Sequence, residues 1–343
     1  MALATRARIA VAALACTVCA GAIVAALRPR PRTPAAAPGP PHFARTFELA
    51  QLRRGNIHTH TNLSDGHSPP EDVARWYREH GYQFLAITDH NLVTADELVA
   101  RLSSPEFVIL RGEEISMYQH GKQTHVNAVC STRTIGGGEF PNASDALARA
   151  IRLVREQHAI AIINHPNFDS AIAPADIPSF AGAHMIEIFS GHEFVNWAGD
   201  ETHPSHEQLW DMALGAGLDV MGVAVDDMHC LQSPGDPPAY PGKGWVYVST
   251  PVLDAPSICA ALASGQLVSS NGPSLQRIAI SVDRYDVQAD SPSAVVTFLG
   301  AGGRVLATGA SSYSLRGDEG YVRARVDSPD GKHAWTPAVR VVR

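Results

Sequence analysis

The sequence predicts an α/β protein in which a mostly parallel sheet is flanked by helices, followed by a small antiparallel β-domain of sandwich type. Three observations carry this. Between Phe47 and Asn271, amphipathic helical stretches alternate with short apolar strands, the rhythm of a parallel sheet. Successive strands stop at residues competent to bind metal, and barrel enzymes collect their chemistry at the C-terminal ends of strands. From about Ser274 the helical period disappears, and "RIAISV", "AVVTFLG", "VLATGA", "YVRARVD" and "AVRVV" alternate between Gly, Asp, Ser and Pro breaks.

A targeting segment precedes the fold. Arg6 and Arg8 stand ahead of an uncharged run from Ile9 to Leu27, about 19 residues against the roughly 20 that span a bilayer. Residues 1–28 are therefore expected to be a signal peptide or membrane anchor, with Ala20 and Ala22 or Ala35 and Ala37 as cleavage sites. The protein is expected to be exported, periplasmic or extracellular, with any membrane contact confined to this segment. Residues 29–46 are Pro/Ala-rich and read as an extended linker. Residues 47–273 form the main domain, and 274–343 the β-domain.

Composition narrows the function. In 343 residues, 45% are apolar and 18% charged, enough for a substantial core. The net charge of −7, without a long basic run, argues against a nucleic-acid-wrapping surface. Cys130, Cys230 and Cys259 are odd in number and far apart, so buried thiols are expected rather than a disulfide framework.

Each helix–strand unit delivers chemistry. In "NIHTHTNLSDGHSP", strand alternation puts His58 and His60 on one face, with Asp65 just beyond. In "SPPEDVARWYREHGYQFLAITDHN", Ser68 is a helix N-cap, Pro69 and Pro70 open the helix, Gly81 ends it, and strand Phe84 to Ile87 delivers Asp89 and His90. "FVILRGEEIS" places Glu113 and Glu114 at a strand end, and "THVNAV" adds His125. A helix starting at Ser144 or Asp145 leads through "IAII" to Asn164 and His165. Another, from about Ser205, leads through "DVMGVAV" to Asp226, Asp227 and His229. A fourth, "PSICAALASG", leads through "QLVSSNGP" to Asn271, with no ionisable group.

The candidate ligands are thus His58, His60, Asp65, His90, Glu114, His125, His165, Asp227 and His229. Imidazoles mixed with carboxylates and without thiolates suit zinc, manganese or iron. So many donors exceed one ion's needs, so two or three divalent ions would share them, with a carboxylate as bridge. His67, His80, His158, His184, His203 and His206 read as helix, turn or loop-surface residues, while His120 and His192 stand in loops expected to face the site's mouth. Lys122 and Arg133 are weaker candidates for meeting an anionic ester, as are His192 for an acid and Trp197 for an apolar wall. "IGGGEF", Ile135 to Phe140, reads as a flexible loop.

In order, "HTHTNLSDG", "AITDHN", "GEEIS", "HVNA", "INHP" and "DDMH" resemble the motifs of the PHP (polymerase and histidinol phosphatase) superfamily of metal-dependent phosphoesterases, over roughly Asn56 to Ser274. The tail, with "AWTPAVRV", is similar to the β-domain of an exported branch. The resemblance implies a distorted seven-stranded (β/α) TIM-like barrel with a trinuclear centre. One ion would be held by His58, His60 and Asp227, a second by His125 and His165 with Glu114 bridging, and a third by Asp65, His90 and His229. Glu113 and Asp226 are the alternative carboxylates. The expected activity is hydrolysis of a small-molecule phosphate ester by a metal-bridging hydroxide, since a bound ion lowers the pKa of water from 15.7 to about 7. Glu114, His229 and His192 are the candidate catalytic groups. Two other readings are a carboxyl, carbamate or amide hydrolase on the same centre, and a non-catalytic metal-stabilised binding module.

Overall fold

The computed structural model describes residues 40–231 and 239–343. The apolar run from Ile9 to Leu27, its candidate cleavage sites and the linker as far as residue 39 lie outside the described residues. Among those described, no helix is long and apolar enough to cross a membrane.

Seven neighbouring strands position the site, in the order Leu52–Asn56, Phe84–Ile87, Val108–Gln119, Lys122–Val129, Ile160–Ile163, Met185–Ser190 and Met221–Val225. Four of their ladders are parallel, but Lys122–Val129 pairs antiparallel with both neighbours. The expected helix–strand alternation fails there because only His120 and Gly121 separate the two strands, and a connection that short can only reverse the chain. Glu113 and Glu114 consequently lie in the middle of a 12-residue strand rather than at its end. The ladder is open between the Met221–Val225 and Leu52–Asn56 strands. A single parallel bridge, Thr59 with Met228, joins the chain just beyond their ends, flanked by Asp227 N–H to His58 O (3.1 Å) and His60 N–H to Met228 O (2.8 Å).

The helices begin close to where the sequence placed them. Pro70–Glu79 has Pro69 rather than Ser68 at its N-cap, with no side-chain cap, Ala143–Glu156 is capped by the Asn142 side chain accepting from Asp145 N–H, and His206–Gly215 starts from a Ser205/Gln208 capping box. The fourth unit differs from expectation. Leu267–Ser270 runs antiparallel to Trp245–Ser249, so it does not extend the parallel set. Asn271 instead binds the C-terminal region, its Oδ1 accepting the His333 N–H at 2.6 Å.

The C-terminal region is β-rich and packs two sheets around Phe43, Leu49, Tyr285, Phe298, Tyr313 and Val322. One sheet runs Ser312–Ser314, Arg284–Ala289, Leu275–Ile280, Phe47–Leu49. The other joins the main sheet through His333–Trp335 paired to Leu267–Ser270. Part of the expected linker belongs here: His42–Phe43 pairs with Val339–Val342, where alternating apolar residues complete the sheet.

A buried ionic network fastens this region to the helix His206–Gly215. Arg323, 1% exposed, donates from Nε and Nη2 to the two oxygens of Asp211 (2.9 and 2.7 Å), and its Nη1 lies 2.8 Å from Glu207 Oε1. Tyr321 donates to Asp211 at 2.6 Å, and the guanidinium lies 4.7 Å from the Trp210 ring centroid.

The expectation of buried thiols fails for two of the three downstream cysteines. Cys130 and Cys259 form a disulfide across 129 positions, with Cα atoms 6.2 Å apart. Chain spacing gave no hint because folding, not proximity in sequence, brings them together. Cys230 is buried, as expected.

Candidate metal centre

The site begins with a tight turn. After Leu52–Asn56 the chain runs on extended through His58 and His60, then folds back as Gly66 N–H bonds to Thr61 O at 2.9 Å. A Cβ at Gly66 would sit 2.7 Å from Thr61 N, so only glycine fits. Asp89 fastens the turn, accepting from Thr61 N–H, Thr61 Oγ1 and Ser64 Oγ at 2.7–2.8 Å. The turn carries Asp65 back over His60.

Glu114 lies at the centre. Its Oε2 is 3.2 Å from His58 Nε2, 3.0 Å from His60 Nε2 and 3.3 Å from His90 Nδ1. Its Oε1 is 3.0 Å from His125 Nδ1 and 3.2 Å from His165 Nε2. One carboxylate thus fans between two sets of imidazoles. Asp227 Oδ1 lies 3.1 Å from His58 Nε2 and 3.3 Å from His60 Nε2, and its Oδ2 is 3.9 Å from His165 Nε2. Asp65 closes the outer side, 3.4 Å from His60 Nδ1, 3.3 Å from His90 Nε2 and 3.4 Å from His229 Nε2. All nine residues singled out as ligands therefore meet around one cavity or its wall. Three subsets have mutually close donor atoms: His58, His60, Glu114, Asp227; His60, Asp65, His90, His229; and His90, Glu114, His125. His60, His90 and Glu114 each belong to two of them.

The neighbouring carboxylates face elsewhere. Glu113 accepts from Ile135 and Gly136 N–H at 2.8 and 2.7 Å, holding the Gly-rich loop. Asp226 accepts from Tyr77 OH and the N–H groups of Gly242, Lys243 and Gly244, all at 2.7–2.9 Å. With Asp226 held back, Asp227 turns to the opposite side at φ 51°, a left-handed conformation that aspartate tolerates better than most residues.

The electrostatics follow from packing imidazoles against carboxylates. Burial opposes protonation of His58 and His60, yet the acids overcome it: Asp227, Glu114 and Glu187 hold His58 well above its ordinary value, and Asp227 and Glu114 raise His60 to about 10. Burial likewise opposes ionisation of Glu114 and Asp227, but the surrounding imidazoles hold both well below the usual carboxylate range. His125 is an exception, pushed down because burial outweighs Glu114.

The cluster opens into a cavity of about 270 Å³ lined by Gln123, Phe168, His192 and Phe194 in addition to ligand candidates. His192 stands with its ring 5.0 Å from that of His229, its Nδ1 facing the Phe194 N–H, and burial pushes it down to about 4. Phe194, 71% exposed, takes the apolar-wall position expected of Trp197. Trp197 instead packs, partly buried, against Phe189 at 4.8 Å on the side of the core. His120 turns to Pro141 O at the hairpin tip, and Lys122 Nζ binds Ser170 O, so neither lines the cavity; Arg133 does not line it either. His206, expected at the surface, is fully buried and accepts the Asn167 N–H at 3.2 Å.

Several supporting residues escaped the sequence reading. Ser116 Oγ holds His90 Nδ1 at 2.6 Å, Gln123 Oε1 holds His125 Nε2 at 3.1 Å, and Asn164 Nδ2 donates to Glu114 Oε1 at 2.7 Å. Glu187, 0% exposed, lies 2.7 Å from His58 Nδ1. Its signal was a lone acid inside the apolar run "MIEIF", which is costly unless paired.

Unpartnered atoms test whether the cluster suits a cation. Asp227 Oδ1 and His60 Nδ1 are buried with no hydrogen-bond partner, and His58 Nε2 faces His60 Nε2 at 3.1 Å. Donor atoms gathered beside a cavity that no described Lys or Arg lines fit a divalent ion.

Fold and cluster together define a mixed α/β protein with a His/Glu/Asp cluster that could bind divalent metal. The PHP-domain family model matches residues 56–169. A search of the curated proteins finds no match. Among solved structures, the chain is similar to a two-domain protein containing a predicted PHP-like metal-dependent phosphoesterase from Bacteroides vulgatus ATCC 8482, with 16% identity, 92% of this chain and 91% of that one covered, and a TM-score of 0.45. It is also similar to a protein from Bifidobacterium adolescentis described as a metal-dependent phosphoesterase (16% identity, 54% and 89% covered, TM-score 0.38). A third is an amidohydrolase from Chromobacterium violaceum with bound sulfate (16%, 62% and 96% covered, TM-score 0.39). These likenesses are too slight to bear on activity.

Proposed function

We propose that this protein is a metal-dependent hydrolase of small phosphate esters. The carrying observation is the position of Glu114, whose two oxygens reach different imidazole sets at the floor of a cavity. His58, His60 and Asp227 would hold one divalent ion, and His125 and His165 a second, with Glu114 shared between them. Asp65, His90 and His229 would hold a third. Asp65 is 53% exposed, so this outer position is the most open to solvent and the weakest of the three. Zinc, manganese or iron bound there would supply Lewis acidity and a nucleophile from water at neutral pH.

The chain's own residues do the rest. Gln123, Ser116 and Asn164 hold His125, His90 and Glu114 in orientation. His192 sits at the rim, placed to donate a hydrogen bond to the departing oxygen. Phe168 and Phe194 offer an apolar wall to the organic part of the ester, and displace water from the mouth. Hydrolytic turnover should vanish after chelation and return with zinc or manganese, assayed on a panel of nitrophenyl phosphate, a phosphodiester, and acyl and carbamate esters. Undiminished rates in chelator sink the assignment, and turnover of acyl or carbamate esters alone moves it to carbonyl chemistry.

We also propose that the protein works outside the cytoplasm. The Cys130–Cys259 disulfide supports this, because such bonds persist in oxidising compartments. The targeting run at residues 9–27 is consistent with it.

A further inference from the structure

Glu187 is the one ionisable side chain on the strand Met185–Ser190. It is fully buried, and the residues flanking it pack into apolar cores, Met185 on one side of the strand and Ile186 and Ile188 on the other. An unpaired carboxylate in such surroundings would cost several kcal/mol. Both oxygens are used. Oε1 lies 2.7 Å from His58 Nδ1, and Oε2 accepts the backbone N–H of His165 at 2.8 Å. An ionised carboxylate can only accept, so the Glu187 contact keeps a proton on His58 Nδ1 and leaves Nε2, 3.1–3.2 Å from His60, Glu114 and Asp227, as the nitrogen a cation would take. The other oxygen pins the backbone that carries His165, whose Nε2 is 3.2 Å from the opposite oxygen of Glu114. His58 and His165 come from separate strand ends, and their rings lie 5.7 Å apart.

We propose that Glu187 is a positioning residue that sets the tautomer of His58 and the placement of His165 together, so that the two halves of the cluster bind their cations as a unit. The proposal rests on the metal-centre reading above. It assigns Glu187 no contact with substrate or with a cation. Partners of this kind behind ligating histidines typically alter metal affinity by about 10–100-fold, and here one residue stands behind ligands of both the first and the second ion.

The test measures metal directly rather than turnover. Zinc affinity by competition titration, zinc stoichiometry by elemental analysis, and the visible spectrum of the cobalt(II)-loaded protein are compared for the full chain and Glu187→Gln. The variant should bind zinc about 10–100-fold more weakly, lose two ions in one step rather than one at a time, and show an altered cobalt spectrum that a purely structural change would leave alone. Equal affinity and an unchanged spectrum overturn the proposal. If Glu187→Gln does not fold, the zinc-loaded wild type decides: long-range proton–nitrogen NMR correlations should show His58 protonated on Nδ1, and protonation on Nε2 overturns it. Wild-type protein that takes up no zinc sinks the metal centre and this inference together, whereas wild-type binding beside an indifferent variant sinks the inference alone.

Discussion

Two buried charge clusters organise this molecule, and they are built on opposite principles. Between the helix His206–Gly215 and the C-terminal sheet, Asp211 and Glu207 meet a guanidinium that the chain itself provides, Arg323. At the strand ends, the charged partners of Glu114, Asp227 and Asp65 are imidazoles, whose lone pairs can equally face a proton or a metal ion. The first cluster holds its own permanent cation, with Arg323 Nη1 2.8 Å from Glu207 Oε1 even though neither atom completes a hydrogen bond. The second leaves Asp227 Oδ1 and His60 Nδ1 without a hydrogen bond and has no permanent cation beside them among the described residues. A buried cluster that lacks a permanent cation of its own is a site, while one that contains it is a joint.

Removing the central carboxylate tests the site half of this comparison and should have the largest effect. Glu114→Gln keeps the shape but halves the anionic capacity shared by five imidazoles. Loss of metal affinity should exceed the roughly hundredfold upper end for a supporting partner, with ester turnover lost alongside. Calorimetric zinc titration checks it, and a variant that binds zinc as tightly as wild type would break the distinction drawn above.

The joint should respond in the opposite manner. Arg323→Met strands the buried carboxylate of Asp211 and the partly buried one of Glu207, and breaking a buried pair in this way costs about 3–5 kcal/mol. Denaturant unfolding should register that loss while zinc stoichiometry per folded molecule stays unchanged. Replacing Asp211 and Glu207 by apolar residues in the same background should recover most of the stability. Failure of that rescue would mean the network does more than satisfy its own charges. A smaller effect is expected from Cys259→Ser, which opens a long loop and should cost about 2–4 kcal/mol, again without touching metal stoichiometry.

The two clusters also differed in how far they could be read from sequence. The site was legible because its ligands recur in short local patterns: two imidazoles two residues apart on a strand, and polar residues where apolar runs stop. The joint was not, since Arg323, Asp211 and Glu207 sit in unrelated segments and each alone looks like a solvated charge. Helix starts were legible from caps and prolines, as at Pro70 and Ser205. The strand Met185–Ser190 went unread because no regular helix precedes it, only short 3₁₀ turns at Phe168–Ser170 and Pro174–Phe180. With that strand went Glu187. The Cys130–Cys259 bond and the burial of His206 were hidden for the same reason, being products of tertiary packing with no local signature.

The smallest prediction concerns an imidazole that belongs to neither cluster. His184 is half-buried, its Nδ1 faces the Ala161 N–H at 3.1 Å, and the Arg155 guanidinium flanks its other edge. Burial and then Arg155 push it down to about 4, opposite in direction to His58 and His60. The unfolded chain takes up a proton on this residue below about 6.5, but the folded protein does so only near 4. Its stabilising contribution is therefore complete above pH 6.5 and is lost as pH falls toward 4. His184→Asn, which can still accept from Ala161, removes that dependence. Unfolding free energies of wild type and variant, from denaturant titrations at pH 7 to pH 4, should converge as acid is added, by about 1 kcal/mol or less once solvent screening is allowed for. Divergence instead would mean that His184 is charged in the fold, and that imidazoles here are tuned by something other than the carboxylates and cations beside them.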